Sequence, residues 1–199
     1  YVEEWLRGQA AAGYVEYDPV SGEYSMTPEQ ARVLAGPAWD LNAPAAFQLA
    51  LGALHAQARL ETAFRTGEGI GWHEHDSQVR EGWARVQESL YARDLVSTWL
   101  PALRGVEARL RRGARVAEIA CGLAVASGLM ARAFPASRFT AFDDHQEAVA
   151  TARARIAAAG LADRVQVEEA WAHAFGGGPY DLVTTFDSLH DQGDPAGIA

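Results

Sequence analysis

The spacing of apolar residues at the start of the chain predicts a helix, a short hairpin and a second helix. Apolar positions recur at helical intervals over residues 1–12, and a glycine follows them. The stretches 14–17 and 23–26 have the character of two short strands around a turn-forming segment. Thr27, followed three residues later by Gln30, forms a capping box, which predicts that the next helix begins here.

Further along, the apolar spacing predicts first two long helices and then strands that alternate with helices. Two long stretches, 44–64 and 79–100, have the spacing of amphipathic helices and are separated by a glycine-containing break. After them, apolar stretches with the length of strands are predicted at 115–120, 138–143, 164–169 and 180–186. Helices follow the first two strands, over 123–134 and 145–159. Because strand and helix alternate, this last part predicts a parallel sheet.

These patterns divide the chain into three expected domains. Residues 1–38 have the element order of a winged-helix remnant of the dimerisation type, and residues 39–112 form a helical linker or cap. Residues 113–199 form an α/β domain with a doubly wound, Rossmann-like parallel sheet. Since Tyr1 lies within the first predicted helix, we expect the chain to be a fragment. The first two domains are the expected contact surface of a homodimer.

Composition and charge narrow the classes of partner. The formal net charge is −9 and acids outnumber arginines in the predicted winged helix, so we expect no nucleic-acid partner, because phosphate binding needs a basic surface. No apolar run approaches the roughly 18 residues that cross a bilayer, so we expect no membrane partner either. The single cysteine, Cys121, excludes an intramolecular disulfide and fits a cytoplasmic location.

The most informative stretch is 116–124, where an apolar strand carries Glu118 and then enters a turn of small residues. The following helix is expected to begin at about Leu123. This layout brings backbone amides close to a nucleotide-like ligand in α/β proteins. Cys121 lies inside the turn, where the helix N-terminus would lower its pKa. We discount it as a nucleophile, because a small residue is needed there for packing.

The predicted α/β domain resembles the class I S-adenosyl-L-methionine-dependent methyltransferases, whose loop has the pattern acid-x-Gly-x-Gly-x-Gly. Glu118 and Gly122 match this pattern, whereas Ala120 and Ala124 stand at the two outer glycine positions. With the two predicted domains ahead of it, nearly the whole chain is similar to the small-molecule O-methyltransferases. The resemblance implies S-adenosyl-L-methionine (SAM) as cofactor and S-adenosyl-L-homocysteine (SAH) as product. It also implies three further strands, so the domain would be truncated at its C-terminus.

The resemblance assigns the cofactor site to the ends of the predicted strands. Glu118 would contact the methionine end of the cofactor, directly or through water. Asp143 would accept the ribose hydroxyls; alternatively it caps the next helix, a role that Asp144 could take instead. The aspartate that meets adenine in the family falls at Trp171, with Glu169 as a longer substitute. The other implied cofactor residues are Ala120, Gly122, Asp144, Ala170, Phe186 and Asp187.

His190 and Asp191 resemble the strand-end Leu-His-Asp signature of the family, in which the histidine is a general base. Imidazole titrates in the range needed to take a proton from a phenol, and Asp191 could orient the ring. Alternatively, His190 caps the loop or lines the cofactor pocket. Trp72, His73 and His75 are expected to line the substrate pocket. Two histidines do not make a metal site, so no metal is expected.

The leading hypothesis is therefore methyl transfer to an oxygen or nitrogen of a small aromatic secondary metabolite. Ala120 is the serious departure, because alanine disfavours positive φ by about 1 kcal/mol and its methyl group takes space near the cofactor. Ala124 is the mild one, since the third glycine mainly serves close packing. The alternatives are a methyltransferase fold that has lost methyl transfer and instead does other small-molecule chemistry or binds a ligand, and a winged-helix transcriptional regulator.

Overall fold

The computed structural model describes residues 1–36 and 43–198. The chain forms two compact units, Tyr1–Ser89 (unit 1) and Leu90–Ala199 (unit 2). The division between them falls inside the segment predicted to be a helical linker. The predicted domain boundary between residues 38 and 39 lies outside the described residues, so the division into three domains stays a prediction.

Unit 1 is built of helices and one small hairpin. Its elements are α1 (Val2–Ala11), β1 (Glu16–Tyr17), β2 (Tyr24–Ser25), α2 (Pro28–Leu34), α3 (Ala43–His55), α4 (Gln57–Thr66), a 3₁₀ turn (Trp72–Glu74) and most of α5 (Ser77–Asp94). The antiparallel pairing of β1 with β2 confirms the predicted hairpin. The capping box is also confirmed. The Thr27 hydroxyl accepts a hydrogen bond from the Gln30 N–H, and the Gln30 side chain accepts one from the Thr27 N–H.

The single helix predicted over 44–64 is wrong, because it is interrupted at Ala56, which separates α3 from α4. At this interruption, the buried Ala56 donates its N–H to the carbonyls of both Gly52 and Ala53. Gly52 lies so close to α5 that a Cβ there would be 2.6 Å from a methyl group of Val79. Gly52 thus allows α3 to pack closely on α5, a contact that the local sequence does not reveal.

Unit 2 is an α/β domain with a four-stranded, all-parallel sheet in the order β5-β4-β3-β6. Its strands are β3 (Arg115–Ile119), β4 (Arg138–Asp143), β5 (Val165–Glu169) and β6 (Leu182–Thr185). Its helices after α5 are a π-helical segment (Leu95–Trp99), α6 (Leu100–Ala102), α7 (Val106–Arg112), α8 (Val125–Ala133), α9 (Gln146–Ala158), a 3₁₀ turn (Leu189–Asp191) and α10 (Pro195–Ile198). This topology confirms the predicted Rossmann-like sheet.

The helix predicted over 79–100 departs from α-geometry near its end. The chain leaves α5 at Asp94 and continues as the π-helical segment. Leu95 and Leu100 are both buried, and a spacing of five residues places two side chains on one face of a π-helix but not of an α-helix. The wider turn thus lets both leucines enter the core, a requirement that the sequence pattern alone did not reveal.

The core of unit 2 lies on both faces of the sheet. The strand β3 is buried along almost its whole length, as expected for a central parallel strand. Small residues of α8 pack directly on the sheet, and Val149, Ala152 and Ile156 form the buried face predicted for α9. Across the described part of the chain, no helix combines the length and the apolar character needed to cross a membrane.

Candidate active site

The loop between β3 and α8 has a left-handed backbone at three positions. Ala120, Gly122 and Ala124 all have φ of 52°. The expectation that Ala124 is the mild departure is therefore wrong, because both alanines occupy a conformation that costs a non-glycine residue about 1 kcal/mol or more. The helix begins at Val125 with Ala124 as its N-cap, two residues later than predicted.

Glycine at either alanine position should relieve this strain. Ala120→Gly and Ala124→Gly are each expected to raise the free energy of unfolding by up to about 1 kcal/mol in urea titrations. Ala126→Gly is the matched control, since Ala126 lies in the right-handed first turn of α8 and its replacement should lower stability. A loss of stability in both loop variants would contradict the assigned backbone conformation.

Glu118 is held inside the fold by the first turn of α8. One of its carboxylate oxygens accepts hydrogen bonds from the Ser127 N–H at 2.8 Å and from the Ser127 hydroxyl at 2.5 Å. Burial raises the pKa of Glu118 to about 7, although both bonds from Ser127 act in the opposite direction. Because only 3% of Glu118 is exposed, a contact with a ligand would need a bridging water or a movement of the side chain.

Asp143, at the end of β4, ties this loop to the next one. Its carboxylate accepts a hydrogen bond from the Gly122 N–H at 2.8 Å and another from the His145 N–H at 3.1 Å. Burial raises the pKa of Asp143, and these two bonds oppose that shift. The suggested helix-cap role is wrong for both aspartates, because His145 is the N-cap of α9 and no side chain caps it. The carboxylate of Asp144 is exposed.

The space in front of the loop is open at its central glycine. A Cβ added to Gly122 would meet no atom within 4 Å, so a ligand can approach the backbone closely there. Beside it, the Ala170 N–H donates to the Asp143 carbonyl at 2.9 Å, which brings the end of β5 next to β4. Glu169 and Trp171 on either side are exposed, and the Trp171 ring lies 6.3 Å from His173. Their contact with adenine stays a prediction.

His190 stands on the 3₁₀ turn that follows β6, between two acids. Its Nε2 lies 3.3 Å from Asp191 Oδ1, and its Nδ1 lies 3.8 Å from Asp187 Oδ1. The neighbouring carboxylates can orient the exposed ring. One ring nitrogen must turn away from these carboxylates and towards the hydroxyl of the methyl acceptor before it can take a proton from that hydroxyl. Asp187 itself has φ of 53°, and Phe186 before it packs into the core of unit 2. The base role of His190 stays a prediction.

Two residues near these acids were not found from the sequence. Ser127 is the partner of Glu118, and its position in the first turn of a helix, where N–H groups lack helical acceptors, was a usable signal. Tyr91 packs its ring 5.2 Å from Phe186. It precedes β3 by more than twenty residues, and nothing in the local pattern relates it to the strand ends.

The remaining residues singled out from the sequence either belong to unit 1 or have a pKa that differs from the expectation. Trp72, His73 and His75 belong to unit 1, where the rings of Trp72 and His75 are 5.7 Å apart. Among residues 1–36 and 43–198, no group of three or more side chains is arranged to hold a metal ion. The expectation that the helix N-terminus lowers the pKa of Cys121 is wrong, because burial, with Glu118 and Asp143 nearby, raises it.

A cavity of about 400 Å³ lies at the other end of the sheet, where β3 and β6 begin. Arginines at positions 104, 109 and 112 line it, together with Asp181. None of the predicted site residues borders this cavity. Ligands of open α/β sheets bind beyond the carboxyl ends of the strands, and the acids described above are at those ends.

The parallel sheet, the acids at the ends of two adjacent strands and the left-handed loop after β3 are features of a Rossmann-like nucleotide-binding fold. Residues 116–197 match the family model described as a methyltransferase domain. These residues are therefore similar to a methyltransferase domain. No curated protein matches the sequence significantly.

Several solved structures of methyltransferases are similar to nearly the whole chain. An O-methyltransferase family protein from Burkholderia thailandensis is 22% identical, with 93% of this chain and 55% of that one covered and a TM-score of 0.67. The mitomycin 7-O-methyltransferase is 19% identical, with 98% and 59% covered and a TM-score of 0.70. An O-methyltransferase of neocarzinostatin biosynthesis, solved with SAM and 2-hydroxy-5-methyl naphthoic acid, is 20% identical, with 98% and 62% covered and a TM-score of 0.60.

These similarities establish the fold. The chain spans between 55% and 62% of the length of these three structures, so it corresponds to less than two thirds of each.

Proposed function

We propose that this protein is a SAM-dependent methyltransferase that methylates an oxygen, or a nitrogen, of a small aromatic secondary metabolite. The observation that carries the proposal is the pair of acids, Glu118 and Asp143, on adjacent strands around the open loop at Gly122. Two of the similar structures are named as O-methyltransferases of natural products, and one was solved with SAM and an aromatic acid, which supports this choice.

The residues present fit such a cofactor. Each carboxylate oxygen of Asp143 accepts one backbone N–H and keeps a second lone pair, which can accept a ribose hydroxyl. The absence of a side chain at Gly122 lets a ligand approach the backbone, while Glu169, Ala170 and Trp171 would border the adenine. When bound, SAM supplies the methyl group as an electrophile on sulfur.

The remaining site residues would prepare the acceptor. His190 would take the proton from the acceptor hydroxyl, and Asp191 would stabilise the charged imidazole that results. Phe186 and Asp187 would border the cofactor, since they lie between the end of β6 and the turn that presents His190. The role of Trp72, His73 and His75 as substrate-lining residues stays a prediction.

Homodimerisation through unit 1 is part of the proposal. The helices α1 and α2 bury none of their residues. Exposed large apolar side chains of unit 1 include Trp5, Phe47, Leu51, Leu54 and Phe64. Burying this surface against a second copy would remove apolar area from water. The acidic first segment disfavours nucleic acid, and the single cysteine fits the cytoplasm.

Calorimetry with SAH tests the proposal. The full-length protein is expected to bind SAH, and Asp143→Ala is expected to weaken binding by about tenfold to a hundredfold, because it removes a charged hydrogen-bond acceptor. Asp144→Ala is the matched variant and should cause a smaller loss, since Asp144 is exposed and the N–H of Gly122 in the loop donates to Asp143 instead. Thermal unfolding of both variants separates lost binding from lost folding, because Asp143 also anchors two backbone amides.

Absence of a binding signal at millimolar SAH would refute the proposed activity. Equal losses in the two aspartate variants would instead refute the assignment of the ribose contact to Asp143.

A second candidate function is other chemistry, or ligand binding alone, in a methyltransferase fold. The observation in its favour is that alanine occupies two left-handed positions of the cofactor loop. Ala120→Gly separates the two functions. Higher SAM affinity together with higher methyl transfer would support the methyltransferase, whereas higher affinity with loss of a native activity would support the second candidate.

A further inference from the structure

Tyr91 combines a buried ring with a hydroxyl that no described residue satisfies. The ring packs between aromatic neighbours in unit 2, with centroids 5.2 Å from Phe186 and 5.8 Å from Trp99. Only 5% of Tyr91 is exposed. These contacts hold the Tyr91 side chain beside the end of β6, because Phe186 lies just after that strand and immediately before Asp187.

The hydroxyl group of Tyr91 reaches an accessible surface. It makes no hydrogen bond to any of residues 1–36 or 43–198. Over the same residues, no fully buried side-chain oxygen or nitrogen lacks a partner. The small exposed part of Tyr91 must therefore include its oxygen. A nearly buried phenol usually has a hydrogen-bond partner, so this one is available to a bound molecule.

The charges around Tyr91 indicate which chemical group it can bind. Burial, followed by the nearby carboxylates of Glu118 and Asp187, raises the pKa of the Tyr91 phenol. The hydroxyl therefore stays protonated and remains a hydrogen-bond donor at neutral pH. An amino-acid group on a ligand carries an ammonium, which the exposed Asp187 can accept directly and Glu118 through a water, and a carboxylate, which needs a donor. Tyr91 supplies a donor next to those acids.

We infer that Tyr91 is a further ligand-binding residue, whose hydroxyl donates a hydrogen bond to the carboxylate of an amino-acid group. This inference rests on the proposed function, in which that carboxylate belongs to the methionine part of SAM. The π-helical segment directly after α5 is consistent with it, since such segments often accompany functional sites.

A comparison of two ligands in two proteins tests the inference. SAM and decarboxylated SAM differ only in the carboxylate, and binding of both is measured by calorimetry in the full-length wild type and in Tyr91→Phe. The variant is expected to bind SAM about tenfold or more weakly, since hydrogen bonds to charged groups are strong, and to bind decarboxylated SAM unchanged. Tyr180→Phe is the matched control, because its hydroxyl donates to the Gly176 carbonyl instead.

The possible outcomes distinguish a failure of the role inferred for Tyr91 from a failure of the proposed function. Equal weakening of both ligands by Tyr91→Phe would mean that Tyr91 only supports the fold, and unchanged SAM binding would mean that its hydroxyl makes no contact. Either result overturns the inference and leaves the proposed function standing. If wild-type protein binds neither SAM nor SAH, the proposed function itself fails, and the inference fails with it.

Discussion

Replacing His190 with alanine is expected to lower kcat for methyl transfer by about 10²–10⁴-fold, the usual contribution of a general base. The KM for SAM should change little, because the expected role concerns the acceptor proton. The measurement is transfer of a labelled methyl group from SAM to a hydroxylated naphthoic acid as probe acceptor. Added imidazole should restore part of the rate in His190→Ala, since a small base can occupy the space of the missing ring.

Two further variants make the His190 result specific. Asp191→Asn keeps the size of the side chain beside Nε2 but removes its charge, so it should lower kcat less than His190→Ala does. His55→Asn changes an exposed histidine of unit 1 that pairs with Asp76, and it should leave kcat unchanged. A His190→Ala enzyme with normal kcat and a raised KM would instead show that the histidine lines the pocket.

Replacing Glu118 with glutamine is expected to remove a pH dependence of stability worth up to about 3 kcal/mol. The pKa of Glu118 is raised from its ordinary 4.5 to about 7 in the folded protein, chiefly by burial. Between these values the folded state binds more protons than the unfolded state, so stability falls as pH rises. The contribution is complete below about pH 4.5 and lost above about pH 7. Asp143 acts in the same direction, because burial raises its pKa too.

The difference in unfolding free energy between Glu118→Gln and wild type is the quantity to measure, by urea titration across this pH window. It should shift in favour of the variant by up to about 3 kcal/mol as pH rises, since glutamine stays neutral and its oxygen can still accept from Ser127. Ser127→Ala should move the midpoint of this pH dependence to higher pH, because it removes the Ser127 hydroxyl, whose hydrogen bond lowers the pKa of Glu118. A constant difference across the window would refute the burial argument.

Much of unit 2 could be predicted because its signals are local. The order of strands and helices follows from the apolar spacing, and β4 has the predicted bounds. The positions of Glu118 and Asp143 at strand ends follow from the same pattern, since the carboxyl ends of parallel strands meet at one edge. The capping box at Thr27 was equally predictable, because both of its hydrogen bonds join residues three apart.

Other features depend on contacts between residues that are distant in the chain. Gly52 packs closely on Val79, which is far from it in the sequence, and the π-helical segment buries Leu95 together with Leu100. In the same way, the alternative of a helix cap at Asp143 is wrong, because its carboxylate accepts the N–H of Gly122 in another loop as well as that of His145. Local secondary-structure propensity does not predict such contacts, because they stabilise the protein only when the elements pack together.

The sequence by itself determined the α/β class, the parallel sheet and the acids at its carboxyl edge, because apolar periodicity and strand alternation are properties of neighbouring residues. Only the tertiary structure decided how those acids are held. It buries Glu118 against Ser127, ties Asp143 to Gly122, places Ala124 as well as Ala120 in the left-handed region and brings Tyr91 to the end of β6. Burial and long-range hydrogen bonds set these properties, and both arise only when distant segments meet.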